Sequence, residues 1–228
     1  MSTAHPPLWK SALAEAIGAF TLIFVGAGSI LAADFARTGT GLLGIAVAHG
    51  LAIATMVSAM GHISGGHFNP AVTGAFVLTG RMRAGTGTAY VVAQLIGASV
   101  AAFFLTAVFP QTVRITTALG TPALGFGVSQ GAGIVVEAIL TFFLVLTVFG
   151  TAVDARGPRA AGGLFIGLAI VMDILIGAPL TGAAMNPARA FGPALFAGAW
   201  TNHLVYWIGP LLGGGVAGLL YHSVYRPA

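Results

Sequence analysis

Long apolar runs separated by short polar segments dominate this sequence. A helix needs about 20 apolar residues to cross the hydrocarbon core of a bilayer, and six runs approach that length. They cover residues 8–33, 41–60, 85–109, 129–151, 160–178 and 202–225. The pattern predicts an all-α membrane protein with six transmembrane helices. The first run is too long for the apolar core of a signal peptide, so we predict that it is retained as a span.

Two shorter apolar runs, 69–79 and 186–197, cannot span a bilayer, and each begins with Asn-Pro. Proline suits the first position of a helix, because the N–H that it lacks has no partner there in any case. We therefore predict two re-entrant half-helices. The segments before them, 62–68 and 179–185, are predicted to be irregular, and they can lie at membrane depth only if they line a wet cavity or are buried in protein.

The two halves of the chain resemble each other. Glu15 in the first run has a counterpart in Glu137 of the fourth run, and an Asn-Pro-Ala triplet follows the second span of each half. Each half has an odd number of spans, so the halves have opposite topology. Inverted repeats with broken helices place the functional site near the midplane of the membrane. We predict one channel domain, 1–228, with inverted repeats at approximately 8–110 and 129–226.

Composition supports lipid as the solvent of this chain. Hydrophobic residues make up 57% of it and charged residues only 6%, whereas soluble domains carry about 25% charged residues. Cysteine is absent, which excludes disulfides, thiolate metal sites and cysteine nucleophiles. We expect no metal and no cofactor. The net charge of +4 comes from scattered basic residues that form no basic face, so we expect no nucleic-acid partner.

The basic residues predict the orientation of the chain. Cytoplasmic loops of membrane proteins carry an excess of Lys and Arg. Six spans put both termini on the more basic side, so we expect a multi-pass protein with both termini in the cytoplasm, in the plasma or inner membrane if the source is prokaryotic. That side is predicted to carry Lys10, Arg81, Arg83, Arg156, Arg159 and Arg226, and the other side Arg37 and Arg114.

The two Asn-Pro-Ala triplets are the strongest candidates for a pore. If the half-helices enter from opposite faces, their N-termini meet at the centre and their dipoles give a positive potential there. Each Asn can cap its own helix and direct amide N–H groups into the lumen. One triplet alone could be a turn followed by a helix, but two in matching places favour a pore for neutral hydrogen-bond acceptors. The triplets are Asn69, Pro70 and Ala71, and Asn186, Pro187 and Ala188.

Two further polar residues are candidates for the pore. Arg189 directly follows the second triplet in an apolar stretch. Charge inside a membrane is costly and indicates function, and a fixed cation at a pore mouth repels other cations. The alternative is an Arg that extends to the membrane surface. His49 stands alone inside the second run, and its residue type alone leaves open a satisfied core residue or a pore residue.

Other isolated polar residues have two or more interpretations. His62 and His67 flank the first re-entrant segment, where they line the cytoplasmic half of the pore or brace the loop. Glu15 and Glu137 are expected to bind backbone donors of the loops, because an unpaired carboxylate inside a membrane is costly; a proton relay is the alternative. Asp173 faces a subunit contact, a loop or the pore vestibule.

Segments 62–73 and 186–194 resemble the two signature loops of the aquaporin (major intrinsic protein) family, and the resemblance extends over nearly the whole chain. It implies an aquaporin-like bundle of six helices with two half-helices. It also implies a homotetramer with one pore in each subunit and passive flow in both directions. By position, the resemblance places the selectivity filter of the family at His49, Ile174, Ala183 and Arg189.

The filter residues depart from the pattern of water-specific family members. Those members usually have Phe, His, a small residue and Arg, and this chain has His49 and Ile174 at the first two positions. The set resembles that of the plant vacuolar (tonoplast intrinsic) members, several of which pass ammonia, urea or hydrogen peroxide besides water. Glycerol-conducting members typically have Asp after the Arg, where this chain has Ala190, so glycerol is a weaker expectation.

These observations predict a passive channel for water, with ammonia, urea or hydrogen peroxide as further permeants. A channel mainly for ammonia, urea or other small neutral solutes is the alternative. An ion-coupled secondary transporter is a remote one, since it would need carboxylates or unwound carbonyls at the midplane. No nucleophile–base pair, metal cluster or phosphate loop indicates an enzyme. The path of loop 110–124 is not fixed by the sequence.

Overall fold

The structure is a computed structural model that describes residues 6–37 and 41–225. Within these ranges the regular secondary structure is helical. Arg226 and both chain ends, to which part of the predicted orientation and repeat boundaries refers, lie outside the described residues.

Five helices in the described part of the chain are long and apolar enough to cross a membrane. They correspond to five of the six predicted spans. The sixth predicted span is helix α9, Val205–Leu220, which continues through a π-helical turn at Tyr221–Tyr225. The five are α1 (Leu8–Ala36), α2 (Gly41–Ser64), α4 (Ala84–Val108), α6 (Gln130–Val153) and α7 (Gly162–Thr181), the last preceded by a 3₁₀ turn at Arg159–Ala161.

The half-helices form where the Asn-Pro triplets predict them. They are α3, Pro70–Leu78, and α8, Pro187–Ala197. In each, the Asn before the proline is the N-cap residue with extended backbone, and the proline is the first helical residue. This geometry supplies an acceptor for the free N–H groups of the first turn. Between α4 and α6 the chain forms a short helix, α5 (Gln111–Thr116), and a turn at Ala118–Gly120.

The predicted irregular segments are shorter than expected, which corrects their boundaries. Helix α2 continues through His62 to Ser64, and α7 continues through Pro179 to Thr181. The helices end where glycine follows, since Gly65 and Gly182 have φ angles of 95° and 82°. Glycine adopts this left-handed conformation without the penalty of a Cβ atom. Irregular backbone is therefore confined to 65–69 and 182–186.

Matching glycine contacts hold the spans of each half together. In the first half, a Cβ atom on Gly97 of α4 would overlap the carbonyl oxygen of Ala16 in α1. In the second half, a Cβ atom on Gly213 of α9 would overlap the carbonyl oxygen of Ala138 in α6. Membrane helices use such small residues to bring their backbones close together.

Isolated polar side chains lie inside this bundle, and many large apolar side chains cover its outer faces. Glu15, Gln94 and Glu137 are fully buried. Apolar side chains on the outer faces are half exposed, for example Leu43 at 61% and Val92 at 50%. Such an apolar surface requires a lipid environment. The protein is therefore an integral, multi-pass membrane protein.

Candidate functional site

A narrow cavity runs between the ends of the two half-helices. Its volume is about 30 Å³, which is room for about two water molecules. Most of its wall is apolar, including Leu22 of α1 and Ile170 of α7. The polar and filter residues that the structure brings together on it are His49, His67, Asn69, Ile174, Ala183, Asn186 and Arg189.

The two Asn side chains are bonded across the centre of the molecule. Asn69 donates from Nδ2 to the carbonyl oxygen of Met185 at 2.9 Å. Asn186 donates from Nδ2 to the carbonyl oxygen of Phe68, also at 2.9 Å. An amide nitrogen carries two N–H groups, so one N–H of each Asn remains for the lumen. The sequence predicted that the amide N–H groups of both Asn residues face the lumen, whereas in the structure one N–H of each joins the two loops.

The side-chain oxygens of these residues complete the caps. Oδ1 of Asn69 accepts from the backbone N–H of Ala71 at 2.8 Å. Oδ1 of Asn186 accepts from the N–H groups of Ala188 at 3.0 Å and Arg189 at 3.3 Å. The two helix N-termini therefore meet with their positive dipole ends facing the same cavity.

Glu15 holds the first re-entrant loop. Its Oε1 accepts from Ser64 Oγ at 2.6 Å and from the backbone N–H of His67 at 3.0 Å. Its Oε2 accepts from the backbone N–H of Phe68 at 2.6 Å and from Gln94 Nε2 at 2.7 Å. Four donors around one buried carboxylate stabilise its charge.

Glu137 makes the equivalent contacts in the second half. Its Oε1 accepts from Thr181 Oγ1 at 2.7 Å and from the backbone N–H of Ala184 at 2.9 Å. Its Oε2 accepts from the backbone N–H of Met185 at 2.7 Å. Neither Glu15 nor Glu137 lines the narrow cavity. Their contacts are those of loop bracing rather than of a path for protons along the pore.

Two tyrosines support the same loops, a role that was not predicted from the sequence. Tyr90 donates from its hydroxyl to the carbonyl oxygen of Ser64 at 2.8 Å. Tyr206 donates to the carbonyl oxygen of Thr181 at 2.9 Å. Each bond satisfies a carbonyl at a helix end. The matching position of one tyrosine in the last span of each half is a signal that could have identified the pair.

Arg189 and His49 meet at one end of the cavity. Nη1 of Arg189 donates to the carbonyl oxygen of Gly120 at 2.7 Å, and Nη2 lies 3.4 Å from His49 Nε2. Nδ1 of His49 lies 2.9 Å from the carbonyl oxygen of Ile45. A carbonyl oxygen can only accept, so this contact places the proton on Nδ1 and leaves Nε2 as an acceptor. Arg189 is only 3% exposed, so it does not extend to the membrane surface.

The turn that contacts Arg189 belongs to loop 110–124. The loop runs through α5 and then through Leu119, which has a positive φ of 54°, before Gly120. Its carbonyl at Gly120 reaches the guanidinium. The loop therefore holds the guanidinium of Arg189, which itself lines the cavity, and this path was not fixed by the sequence.

The remaining polar residues lie at different depths. His67 lines the narrow cavity, with Nδ1 3.1 Å from Thr73 Oγ1 and its ring 4.2 Å from that of Phe76. His62 is exposed and lines a wider cavity of about 470 Å³ at the opposite end from Arg189. Asp173 is buried away from the narrow cavity, and its Oδ2 has no hydrogen-bond partner among the described residues.

A polar cluster closes the bundle at the end where α6 and α9 finish. Arg156 donates from Nη2 to Asp154 Oδ2 at 2.6 Å and to the carbonyl oxygen of Tyr225 at 2.6 Å. Tyr221 donates from its hydroxyl to Asp154 Oδ2 at 2.9 Å. The hydrogen bonds from Arg156 hold the pKa of Asp154 well below its usual range.

Within 6–37 and 41–225, no cluster of three or more His, Asp or Glu side chains could hold a metal ion.

Comparison with known proteins identifies the family. The family described as "Major intrinsic protein" matches residues 2–221. "Aquaporin TIP4-4" from Zea mays is 45% identical over 226 residues, covering 95% of this chain and 86% of the relative. The "Lens fiber major intrinsic protein" of Gallus gallus is 43% identical over 220 residues, covering 96% and 82%.

A solved structure has the same fold. It is described as the X-ray structure of the aquaglyceroporin from Plasmodium falciparum, and it superposes with a TM-score of 0.86 at 23% sequence identity. The superposition covers 97% of this chain and 98% of the other. The fold is therefore the aquaporin fold, with six transmembrane helices, two half-helices and an inverted 3+3 repeat. From sequence and structure together, this chain belongs to the major intrinsic protein family.

Proposed function

We propose that this protein is a passive transmembrane channel for water. The observation that carries the proposal is the pair of Asn side chains joined across the narrow cavity, each with one amide N–H left for the lumen. Two donors at the meeting point of two positive helix ends orient a water molecule by its oxygen and oppose cations. The relatives named as aquaporins support the same permeant.

The filter supports small neutral solutes as further permeants. His49, Ile174, Ala183 and Arg189 all line the cavity. An aliphatic Ile and a small Ala leave part of that wall apolar, while Arg189 offers donors. We propose that ammonia, urea or hydrogen peroxide pass in addition to water. Glycerol stays a weaker expectation, because Ala190 follows Arg189 where glycerol-conducting family members typically have Asp.

The arrangement opposes an ion-coupled transporter. Such a transporter holds its ion with carboxylates or unwound carbonyls near the midplane. In the described residues, the carboxylates of Glu15 and Glu137 are occupied by loop donors and lie outside the cavity lining. Family membership makes the protein a channel and not an enzyme.

Osmotic shrinkage tests the proposal. Vesicles that contain the protein are expected to shrink faster than protein-free vesicles in stopped-flow light scattering, with a low activation energy. Ala183→Phe, which fills the filter, should abolish the increase. The same change at Ala32, an exposed position on α1, is the matched control and should leave it intact. Equal rates with and without the wild-type protein would refute a water channel.

We further propose the assembly and orientation of the channel. The chain forms a homotetramer in the lipid bilayer, with one pore per subunit and both termini in the cytoplasm; in a prokaryote this is the plasma or inner membrane. The matched contacts of Gly97 and Gly213 support inverted repeats at approximately 8–110 and 129–226 within one channel domain. Light scattering coupled to size exclusion measures the oligomer, and a monomer mass would contradict the tetramer.

A further inference from the structure

Helix α1 contains a π-helical turn, Leu22–Ala27, beside the filter. The turn interrupts an otherwise regular α-helix, and Leu22 at its start lines the narrow cavity. A π-helical turn within an α-helix is rare and is found frequently at functional sites. The position of this turn therefore requires an explanation beyond the crossing of the membrane.

Gly26 in this turn lies directly against the ring of His49. A Cβ atom on Gly26 would be 2.5 Å from His49 Cδ2, 2.7 Å from Nε2 and 2.9 Å from Cγ. These separations are well inside van der Waals contact, so a side chain at position 26 and the observed ring position exclude each other. The absence of a side chain at Gly26 creates the space that the imidazole occupies.

The ring has little freedom to move away from such a side chain. His49 is 3% exposed, and Nδ1 is bonded to the carbonyl oxygen of Ile45 at 2.9 Å. Nε2 contacts Arg189 Nη2 at 3.4 Å. The open space beside the ring is the narrow cavity that it lines. A ring displaced from α1 therefore enters the cavity and loses its contact with Arg189.

The next residue of the turn supports the other partner of Arg189. A Cβ atom on Gly120 would be 2.9 Å from Ala27 Cβ and 3.1 Å from Ala27 Cα, so the two backbones are in close contact. The carbonyl oxygen of Gly120 accepts from Arg189 Nη1 at 2.7 Å. Adjacent residues of one turn thus locate both groups that fix the guanidinium.

We propose that the π-helical turn Leu22–Ala27 sets the aperture of the filter, with Gly26 as a positioning residue for His49 and Ala27 as a positioning residue for the Gly120 carbonyl. This inference rests on the proposed channel function and assigns part of its selectivity to a helix that carries none of the filter side chains. The widened turn places Gly26 and Ala27 against two different partners of Arg189 at once.

Gly26→Ala tests the inference. The displaced imidazole narrows the cavity, and a larger solute is affected more than water. The ratio of urea to water permeability is expected to fall about tenfold in proteoliposomes, the effect of raising the barrier for urea over that for water by roughly 1.4 kcal/mol. Gly131→Ala is the matched control, because a Cβ atom there meets nothing within 4 Å, and the ratio should stay at the wild-type value. If the wild-type protein conducts and Gly26→Ala keeps its ratio, the inference is wrong while the channel function stands.

A second background separates positioning from general damage. In His49→Ala the ring that a side chain at position 26 would meet is gone, so adding Gly26→Ala should leave the urea-to-water ratio of that background unchanged. An equal fall of the ratio in both backgrounds would overturn the inference. If Gly26→Ala fails to fold, the double variant should fold; failure of both would equally overturn it. A wild-type protein that conducts neither water nor urea would instead refute the proposed function.

Discussion

Arg189 shows how single residues in this protein are fixed by backbone groups far away in the sequence. Its guanidinium contacts the carbonyl of Gly120 and the ring of His49, and its own backbone N–H is capped by Asn186. The residue type and its place after Asn-Pro-Ala predicted a buried functional charge. Its partners could not be predicted, because the path of loop 110–124 depends on tertiary contacts.

Arg189→Val should weaken the exclusion of cations. The positive helix ends remain, so water should still pass, but the fixed charge at the cavity mouth is lost. Proton leak is expected to rise about tenfold, the effect of lowering a barrier by roughly 1.4 kcal/mol. A pH-sensitive dye inside vesicles measures it. Arg83→Val, at an exposed position before α4, is the control; unchanged exclusion in Arg189→Val would show that the helix dipoles are sufficient.

Glu137→Gln should destabilise the second re-entrant loop. The carboxylate accepts from the N–H groups of Ala184 and Met185 through separate oxygens, and an amide replaces one acceptor with a donor. A buried N–H without a partner costs about 1–3 kcal/mol, so the unfolding temperature in detergent should fall. Asp34→Asn is the matched control, because this exposed acid accepts from a single side chain, Thr116, among the residues that the structure describes. A similar fall in both variants would argue against the bracing contacts.

At the scale of elements, hydropathy predicted the spans and proline predicted the half-helix starts. The helix ends were predicted less well. Pro179 was expected to lie in an irregular segment, yet it lies inside α7, because the helix ends at Gly182 instead. The π-helical turn at Leu22–Ala27 leaves no mark in the hydrophobic pattern. It reflects contacts with α2 and the Gly120 turn, which a local sequence window does not contain.

Gly213→Ala should destabilise the packing of α9 on α6. A Cβ atom there overlaps the carbonyl of Ala138, so the helices must separate or shift. Such overpacking costs about 1–3 kcal/mol, to be measured as a lower unfolding temperature in detergent. Gly131→Ala, with open space around it, should be neutral or slightly stabilising, because alanine favours helix more than glycine does. An unchanged Gly213→Ala protein would contradict the close contact.

At the scale of the whole molecule, the distribution of basic residues predicted that Arg81 and Arg156 lie at the same end of the bundle. Arg81 lies 5.6 Å from the ring of Phe149, whose ring is 5.9 Å from that of Tyr221. Tyr221 in turn binds Asp154, the partner of Arg156. Arg81 and Arg156 therefore lie at the same end, as their grouping predicted. That this end is cytoplasmic stays a prediction. Separations of more than 60 residues, as between Asp154 and Tyr221, leave no local sequence signal.

The Asp154 cluster should make stability depend on pH in a defined window. Its pKa is lowered in the folded protein by hydrogen bonds from Arg156. A lowered folded pKa contributes stability above the unfolded value, about 3.9, and the contribution is lost as pH falls through the folded value. Asp154→Asn should therefore lower the unfolding temperature at pH 7, by an amount that shrinks below about pH 4. A difference that persists unchanged at the most acid pH the protein tolerates would contradict the pairing.

The crosswise bonds of the two Asn residues have a consequence for biosynthesis. Asn69 donates to the carbonyl of Met185, 116 residues further along the chain. The carbonyl of Phe68 accepts from Asn186, which lies 118 positions later. Chains grow from the N-terminus, so the first half leaves the ribosome before the second. At that stage the donors that bind Glu15 are already present, but the partners of Asn69 and of the Phe68 carbonyl are not. A nascent chain that stops before Met185 carries a loop whose central polar groups have no partner. The loop of the first half is therefore completed only when residues from the last quarter of the sequence have been made.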